Sequence, residues 1–584
     1  MCGIFALLVK NNNLMDEYIK TLTRTIMPEF MKGQNRGPEH TTLSPINEHL
    51  IFGFHRLAIN GLDEVSNQPI CINGVYLICN GEIYNYKTLY SQLSIVPNTN
   101  SDCEVIIHMY LQYGIEYTLQ NLDGVFGFVL YDSNINKVYI ARDPFGVRPV
   151  YIGHHNDYMV VSSELKQINN ICDSASCVQF KPGSYVECNY RNNALHASNY
   201  TYYTAFNYLQ SEHATTTMKT QGEQYYSLIY NALYEAVKKR VITSERKIAC
   251  LLSGGLDSSL ITALVAKFVP KGQLETYSIG MKGGEDLQYA KMVAQRIGSK
   301  HTEIILSEQE FLSAIPEVIY TVESYDTTTI RASVGNYLIA QYISKNSDAK
   351  VIFNGDGSDE LTGGYMYFHN SPSAIEFDYE CKRLLRNMYQ YDVLRSDRCV
   401  SSHGLEPRTP FLDRSFVHQY LSIPCNIRFH NNNNNKFMEK HLLRSAVETQ
   451  DPELLPYCVL WRTKEAFSDG VSSNNKPWYQ IIQEYVSHNQ FVDLYDEQQK
   501  HSFNKPSTLE QAYYRGIFEN YFPKCSHVIP YFWMPRFCEA SDSSARTLQI
   551  YKDKTQVRSD DSDIDIDRDS KAIFLQDSDE TSNI

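Results

Sequence analysis

No C-x-x-C pair occurs among the 14 cysteines, which lie scattered along the chain. A structural zinc needs about four ligands at close spacing, so a zinc ribbon or finger is excluded. The scatter fits free thiols in a reducing, cytoplasmic compartment. Long hydrophobic runs are also missing. No uninterrupted apolar stretch approaches the ~20 residues that span a bilayer, so no membrane segment is expected. The first apolar run, Ile4 to Val9, lacks a basic flank and ends in Lys10-Asn11-Asn12-Asn13, so it is no signal peptide. Positive charge is in deficit: 53 Lys and Arg stand against 67 Asp and Glu, a formal net charge of -14. That balance argues against a nucleic-acid partner. The lysine-terminated phosphate loop G-x-x-x-x-G-K-[ST] is missing too, which points away from γ-phosphate transfer.

The 584 residues, 43% hydrophobic, are enough for more than one core. The first two hundred read mostly as strands: Phe52 to Ile59, Val75 to Cys79, Val125 to Tyr131, Lys137 to Ala141 and Tyr158 to Ser162. They are short, β-branched or aromatic, and separated by Gly, Asn, Asp or Pro. Helical periodicity appears at Leu14 to Met31 and Cys103 to Tyr113. The mixture predicts stacked sheets with helices outside. Asn189 to Gln221 is polar and without period, and reads as a crossing between domains.

From Gly222 strand and helix alternate: a helix at Tyr225 to Val241, a strand at Ile248 to Leu252, a helix at Ser258 to Phe268, a strand at Glu275 to Ile279, a helix at Leu287 to Ile297, and strands at Thr302 to Leu306 and Val351 to Phe353. Alternation of this kind implies a parallel sheet wrapped by helices. Segments from Asp378 to about Tyr521 read as mainly helical, with a polar loop at Asn431 to Asn435. Residues 551–584 carry a net charge of -5 and read as a disordered acidic tail. A calcium loop beginning at Asp563 fails, because Arg568 stands where glycine is required and Phe574 where a bidentate Glu is required.

Cys2 follows the initiator methionine. Trimming of Met1 would place a thiol, which titrates near ~8.5, and an α-amine, which titrates near ~7.7–8.0, on one residue. The amine can take the thiol's proton, so nucleophile and base come together. An amide attacked there develops an oxyanion. Asn80-Gly81-Glu82, after a predicted strand, offers a side-chain amide and a backbone N–H as donors. Arg56 can fork onto a carboxylate, and Asp102 can pair with an ammonium. Each alone is as easily a turn or a surface charge.

A second constellation lies in the other half. Ser253-Gly254-Gly255-Leu256-Asp257-Ser258-Ser259 sits between a strand and a helix, where glycines and a helix N-terminus accommodate phosphate. Asn354-Gly355-Asp356-Gly357-Ser358-Asp359-Glu360 also follows a strand. Loops after parallel strands converge at one sheet edge, which would unite Asp257 and Asp359 as a magnesium site against phosphate oxygens.

The N-terminal constellation of Cys2, Arg56, Asn80-Gly81-Glu82 and Asp102, with Arg36-Gly37-Pro38, His55-Arg56-Leu57, Ser101-Asp102-Cys103-Glu104 and Arg142-Asp143-Pro144-Phe145-Gly146, resembles the glutaminase domain of class II glutamine amidotransferases, an N-terminal-nucleophile (Ntn) hydrolase fold. The resemblance implies an αββα sandwich over residues 1–205, crossing segment included. It makes Cys2 the nucleophile, Asn80 and Gly81 the oxyanion hole, and Arg56, Asn80, Gly81, Glu82 and Asp102 the glutamine site. Residues 206–550 resemble asparagine synthetase of the glutamine-hydrolysing kind. The stretches that carry this are Glu323 to Ser333, His403 to Asp413 and Lys464 to Gly470.

That second resemblance implies an ATP-pyrophosphatase-type parallel α/β sheet with added helices. The implied reaction activates the side-chain carboxylate of aspartate as an acyl-adenylate, releases pyrophosphate, and lets glutamine-derived ammonia displace AMP. By matching motif, Leu252, Ser253, Gly254, Gly255, Asp257, Ser258, Ile279, Asn354 and Gly355 should border ATP. Asp257 and Asp359 should hold Mg2+, Thr328 and Arg331 should hold aspartate, and Lys464 should face the phosphates. The family's Ser-Gly-Glu-Gly reads Asn354-Gly355-Asp356-Gly357 here, so the catalytic carboxylate is one methylene shorter. A misplacement of ~1 Å can cost ~10²-fold, yet activity is expected to persist. Another amidating or β-lactam-forming synthetase, or a non-catalytic relative, is the competing reading. The intact Cys2 site opposes the β-lactam-forming reading, the residues around Arg331 favour aspartate over another amidation substrate, and retention of Cys2, Arg56, Asp102, Asp257 and Asp359 opposes a non-catalytic relative. A homodimer is compatible with the sequence, which does not specify an assembly.

Overall fold

The first strand explains how the N-terminal half is layered. Gly3–Val9 (β1) is buried along its whole length. Alternate side chains of a strand point to opposite faces. Ile4, Ala6 and Leu8 enter a core shared with Phe54, Ile78 and Val129, while Phe5, Leu7 and Val9 pack against Ile26 and Phe30 of the helix Asp16–Met31 (α1). Both faces are covered, so β1 reads as a continuous apolar run rather than an alternating one.

The chain is described from a computed structural model, for residues 1–10, 16–191, 194–204, 222–432, 435–436, 438–473, 475–488, 498 and 503–552. The acidic tail from residue 553 and residues 205–221 of the crossing segment lie outside them.

In the N-terminal half, β1 is joined by His40–Asn47 (β2), Leu50–Arg56 (β3), Ile70–Ile72 (β4), Val75–Ile83 (β5), Gly124–Asp132 (β6), Lys137–Arg142 (β7), Tyr151–His154 (β8), Tyr158–Ser162 (β9), Val178–Gln179 (β10), Ser184–Arg191 (β11), Ala194–Ala197 (β12) and Thr201–Tyr202 (β13). One sheet has the order β10-β8-β9-β1-β3-β2. The other has the order β12-β11-β7-β6-β5-β4, with β13 on β11. Helices Tyr86–Leu93 (α2) and Val105–Asn121 (α3) cover the second sheet through Leu89, Ile106 and Leu119, completing the αββα sandwich. α3 runs past the expected end at Tyr113, because Gly114 takes a positive φ of 78° and the helix resumes beyond it. Part of the expected crossing segment belongs to this half: Asn189 to Arg191 end β11, and β12 and β13 extend the same sheet.

The C-terminal half holds a parallel sheet. Ile248–Leu251 (β14), Glu275–Met281 (β15), Lys300–Leu306 (β16), Val351–Phe353 (β17) and Glu406–Arg408 (β18) are ordered β16-β15-β14-β17-β18. Strand order reverses between β14 and β17. Loops leaving those strands diverge there and open a crevice, the usual ligand position in such sheets. The expected polar loop at Asn431 to Asn435 contains a short antiparallel pairing of Asn431–Asn432 with Asn435–Lys436.

Buried charges join the halves. Arg36 meets Asp397 at 2.7 Å, Arg408 meets Glu82 at 3.1 Å, and Arg148 meets Glu406 at 3.5 Å. Glu323, in the left-handed region at the end of the helix Glu308–Val322, accepts the backbone N–H groups of Leu165 and Lys166 at 2.9 and 2.8 Å. Removing one member of such a pair leaves an uncompensated buried charge, which costs about 3–5 kcal/mol.

Candidate functional site

Cys2 immediately precedes β1, and the β1–β3 register of Gly3 with His55 puts it beside Arg56. Its Sγ donates to the carbonyl of Leu57 at 3.6 Å. Burial raises the thiol's pKa, although the chain's amino terminus and Arg56 pull the other way. The Met1 amine is itself lowered to about 6 by burial, so it is mostly a neutral base at pH 7.

Across the sandwich, Asn80 on β5 is 0% exposed, and neither its Nδ2 nor its Oδ1 has a hydrogen-bond partner. An unsatisfied buried amide costs about 1–3 kcal/mol, a penalty that a bound oxygen would relieve. Gly81 follows; a Cβ there would lie 2.7 Å from the Val125 carbonyl, so only glycine fits. Glu82 accepts from Asn60 at 2.7 Å and pairs with Arg408. Burial, with Glu406 and Asp102 nearby, drives its pKa well above the carboxylate range. Asp102 accepts the Ile83 N–H at 2.6 Å and is raised to about 6 by burial. Arg56 is braced by the carbonyls of Asp63 and Gly61 and by Asn67 Oδ1.

The second site lies at the crevice between β14 and β17, in a cavity of about 160 Å³ bordered by Leu252, Ile279, Thr328, Asn354, Asp356 and Lys464, among others. Leu256–Ala266 begins here as a helix capped by Gly255. Gly254 has φ +79°, and a Cβ on it would strike the Ala290 backbone at 2.5 Å. Ser258 Oγ receives the Ser253 N–H at 3.1 Å, closing the first loop on itself. Gly355 brings the second loop against the first: a Cβ there would be 2.8 Å from the Ser258 nitrogen.

The expected meeting of Asp257 with Asp359 occurs. Lys440 Nζ lies 2.6 Å from both Asp257 oxygens and 2.6 Å from Asp359 Oδ1, and Lys464 Nζ lies 2.6 Å from Asp359 Oδ2. Burial opposes ionisation of Asp257, yet the two ammonium groups outweigh it and hold the carboxyl at about 2. For Lys464, burial is likewise outweighed by Asp359 and Asp257, which raise its pKa. Asp356 Oδ1 accepts from Arg395 at 2.9 Å.

Thr328 lines the cavity with its buried hydroxyl unpartnered. Arg331 does not border this cavity. It borders a smaller adjoining one of about 50 Å³ that Thr328 shares. Its guanidinium forks onto Glu510 at 2.7 and 2.8 Å and onto Asp542 at 2.7 and 2.8 Å.

Sequence reasoning missed Lys440, Glu439, Arg395, Glu406 and Arg408 as parts of these sites. Lys440 has φ 58°, unusual for a non-glycine residue, which nothing in the primary structure signals. Glu439 accepts the Lys464 backbone N–H at 2.7 Å. Glu406 and Arg408 lay within a motif already singled out, but the bridge that Arg408 makes between Glu406 and Glu82 is visible only in three dimensions.

Residues 1–227 match the glutamine amidotransferase domain family, and residues 228–379 and 370–533 match the asparagine synthase family. An asparagine synthetase [glutamine-hydrolyzing] from Gallus gallus is 42% identical over 95% of this chain and 100% of its own length. The Homo sapiens protein of that name is 40% identical over 94% and 99%. A solved structure described as glutamine phosphoribosylpyrophosphate (PRPP) amidotransferase from B. subtilis, complexed with ADP and GMP, is similar over 52% of this chain and 81% of its own, at 16% identity and TM-score 0.28. Family matches over both halves, with relatives of one kind 40–42% identical over 94–95% of its length, place this chain in the glutamine-hydrolysing asparagine synthetase family.

Proposed function

We propose that the chain converts aspartate to asparagine, using ATP and the amide nitrogen of glutamine. The observation that carries this reading is the crevice where Asp257 and Asp359 share two lysine ammonium groups beside a phosphate-type loop. With Met1 removed, the Cys2 amine takes the thiol proton, and the thiolate attacks the side-chain amide of glutamine. Asn80 Nδ2 and the Gly81 N–H receive the oxyanion, Arg56 faces the α-carboxylate, and Asp102 and Glu82 face the ammonium end. Ammonia departs, and water releases glutamate from the thioester.

In the second site the β-carboxylate of aspartate attacks the α-phosphorus of ATP, and pyrophosphate leaves. Ammonia reaching this site inside the protein displaces AMP from the resulting acyl-adenylate. The glycines of both loops let the backbone approach the phosphates, and Lys440 and Lys464 offset charge there. Among the described residues no group of three or more His, Cys, Asp or Glu could hold a metal ion. Two converging carboxylates nevertheless suit Mg2+ when phosphate oxygens supply its other ligands. Asp257 and Asp359 would hold it, and its charge would neutralise phosphate when bound.

Thr328, with its unpartnered hydroxyl, fits direct contact with aspartate. Arg331, already bridged to Glu510 and Asp542, fits a role in holding the wall of that subsite. A cytoplasmic location accords with fourteen free cysteines, and among the described residues no helix is long and apolar enough to cross a membrane. Assembly as a homodimer is part of the same proposal.

Incubation with aspartate, ATP, Mg2+ and amide-labelled glutamine should give labelled asparagine and aspartate-dependent pyrophosphate. Glutamine hydrolysis without either product would refute the synthetase half and show Asp356 to be too short for its task.

A pH dependence follows from Asp102. Burial places its pKa at about 6 in the free protein, and it must be ionised to pair with an ammonium. The KM for glutamine should therefore rise about tenfold for each unit of pH below that value. An Asp102→Asn variant should start from a high KM and lose this slope. A wild-type KM that stays flat down to pH 5 would remove Asp102 from glutamine binding.

A further inference from the structure

Three thiols meet where the two halves touch. Cys172 and Cys177 flank the turn leading into β10, and Cys525 follows the helix Leu509–Tyr521 of the other half. A Cβ built on Gly153 would lie 2.9 Å from Cys172 Sγ and 3.2 Å from Cys177 Sγ, which places both sulfurs around one point. The Cys177 thiol is near enough to those of Cys172 and Cys525 for each to shift its titration. Cys525 Sγ also donates to the Ser174 carbonyl at 3.7 Å, and His527 Nε2 lies 2.8 Å from the Cys177 carbonyl. The loop of one half is therefore bound to the turn of the other on both sides of the sulfur cluster. Cys177 and Cys525 are 0% exposed, whereas Cys172 is partly exposed.

We propose that this cluster is an oxidation site, which accepts a small peroxide at Cys172 and ends as a Cys177–Cys525 disulfide joining the two halves. The Cys172 thiolate attacks the O–O bond of hydrogen peroxide. Its sulfur is oxidised by two electrons to a sulfenic acid, and the peroxide is reduced to water. The Cys177 sulfur then displaces hydroxide from Cys172; the thiol proton leaves with that hydroxide as a second water. Finally the Cys525 sulfur attacks Cys177 and its proton passes to Cys172, which returns as a thiol. Two thiols have lost two hydrogens and one peroxide has become two waters.

The partial exposure of Cys172 is what gives oxidant access to an otherwise buried pair. The hydrogen bond with Cys172, added to burial, raises Cys177 to about 12, so it stays protonated until its neighbour is oxidised. Cys79 and Cys103 are a natural comparison: they are also in thiol contact, but both are buried, with no exposed member.

The full chain, treated with hydrogen peroxide under native conditions, alkylated and digested without reductant, should yield the Cys177–Cys525 cross-linked peptide by mass spectrometry, with Cys79 and Cys103 still alkylated as thiols after denaturation. Cys525→Ser should stop at the Cys172–Cys177 disulfide. Cys177→Ser should leave a dimedone-reactive sulfenic acid on Cys172. Cys172→Ser should slow cross-linking about tenfold. Wild-type protein whose Cys172 proceeds to sulfinic acid while Cys177 and Cys525 remain thiols would overturn the proposal. So would cross-linking that is as fast in Cys172→Ser as in wild type.

Discussion

Cys2→Ala protein should lose glutamine-dependent asparagine formation by roughly 10⁴-fold or more, the scale on which removal of a nucleophile acts. Synthesis from free ammonium salt should stay near the wild-type rate. The reason is the separation of the two constellations: Cys2, Asn80 and Arg56 lie in the αββα sandwich, whereas Asp257, Asp359 and the two lysines lie at the crevice of the parallel sheet. Cys2 is only partly buried, and alanine leaves little space behind. Parallel assays with glutamine and with ammonium chloride separate the outcomes. Equal loss in both would mean that the substitution damaged the fold, or that the second site does not work independently of the first.

Lys464→Met should produce the opposite pattern. The ammonium lies 2.6 Å from Asp359 and 3.5 Å from Asp257, and methionine keeps much of the side chain's length without its charge. Aspartate-dependent pyrophosphate release should fall roughly 10²–10³-fold, the range seen when one preorganised electrostatic contact is removed. Glutamine hydrolysis should be unaffected. Lys440 still neutralises one carboxylate in this variant, so the fold should tolerate the change better than loss of both lysines. Release of pyrophosphate at more than half the wild-type rate would remove Lys464 from the phosphate chemistry.

Much of this architecture was legible in the primary structure, because local chemistry and global fold agree. Tyr158 to Ser162 forms a strand with those bounds, and the two glycine-bearing loops sit where parallel strands end. The exceptions have physical causes. Helical periodicity was expected to stop at Tyr113, but Gly114 at positive φ only interrupts the helix, which continues to Asn121. The polar stretch after Asn189 hid two more pairings, because residues at the edge of a sheet need little hydrophobic pattern to join it. Lys440 was invisible, since a lysine is ordinarily solvated, and only the convergence of Asp257 with Asp359 gives it a buried partner. Arg331 was legible as an important residue. Its four hydrogen bonds to Glu510 and Asp542, nearly two hundred residues downstream or more, were not.

The charged seam between the halves has a consequence for how the chain exists at all. Arg36, Arg148 and Arg408 find their countercharges on the opposite half, and Glu323 ends a helix of one half by gripping the backbone of the other. Cut apart, each half would carry ionic stumps shaped for a neighbour that is no longer there. The halves are therefore expected to be less stable apart than joined, since these charges and backbone groups find their partners only across the seam.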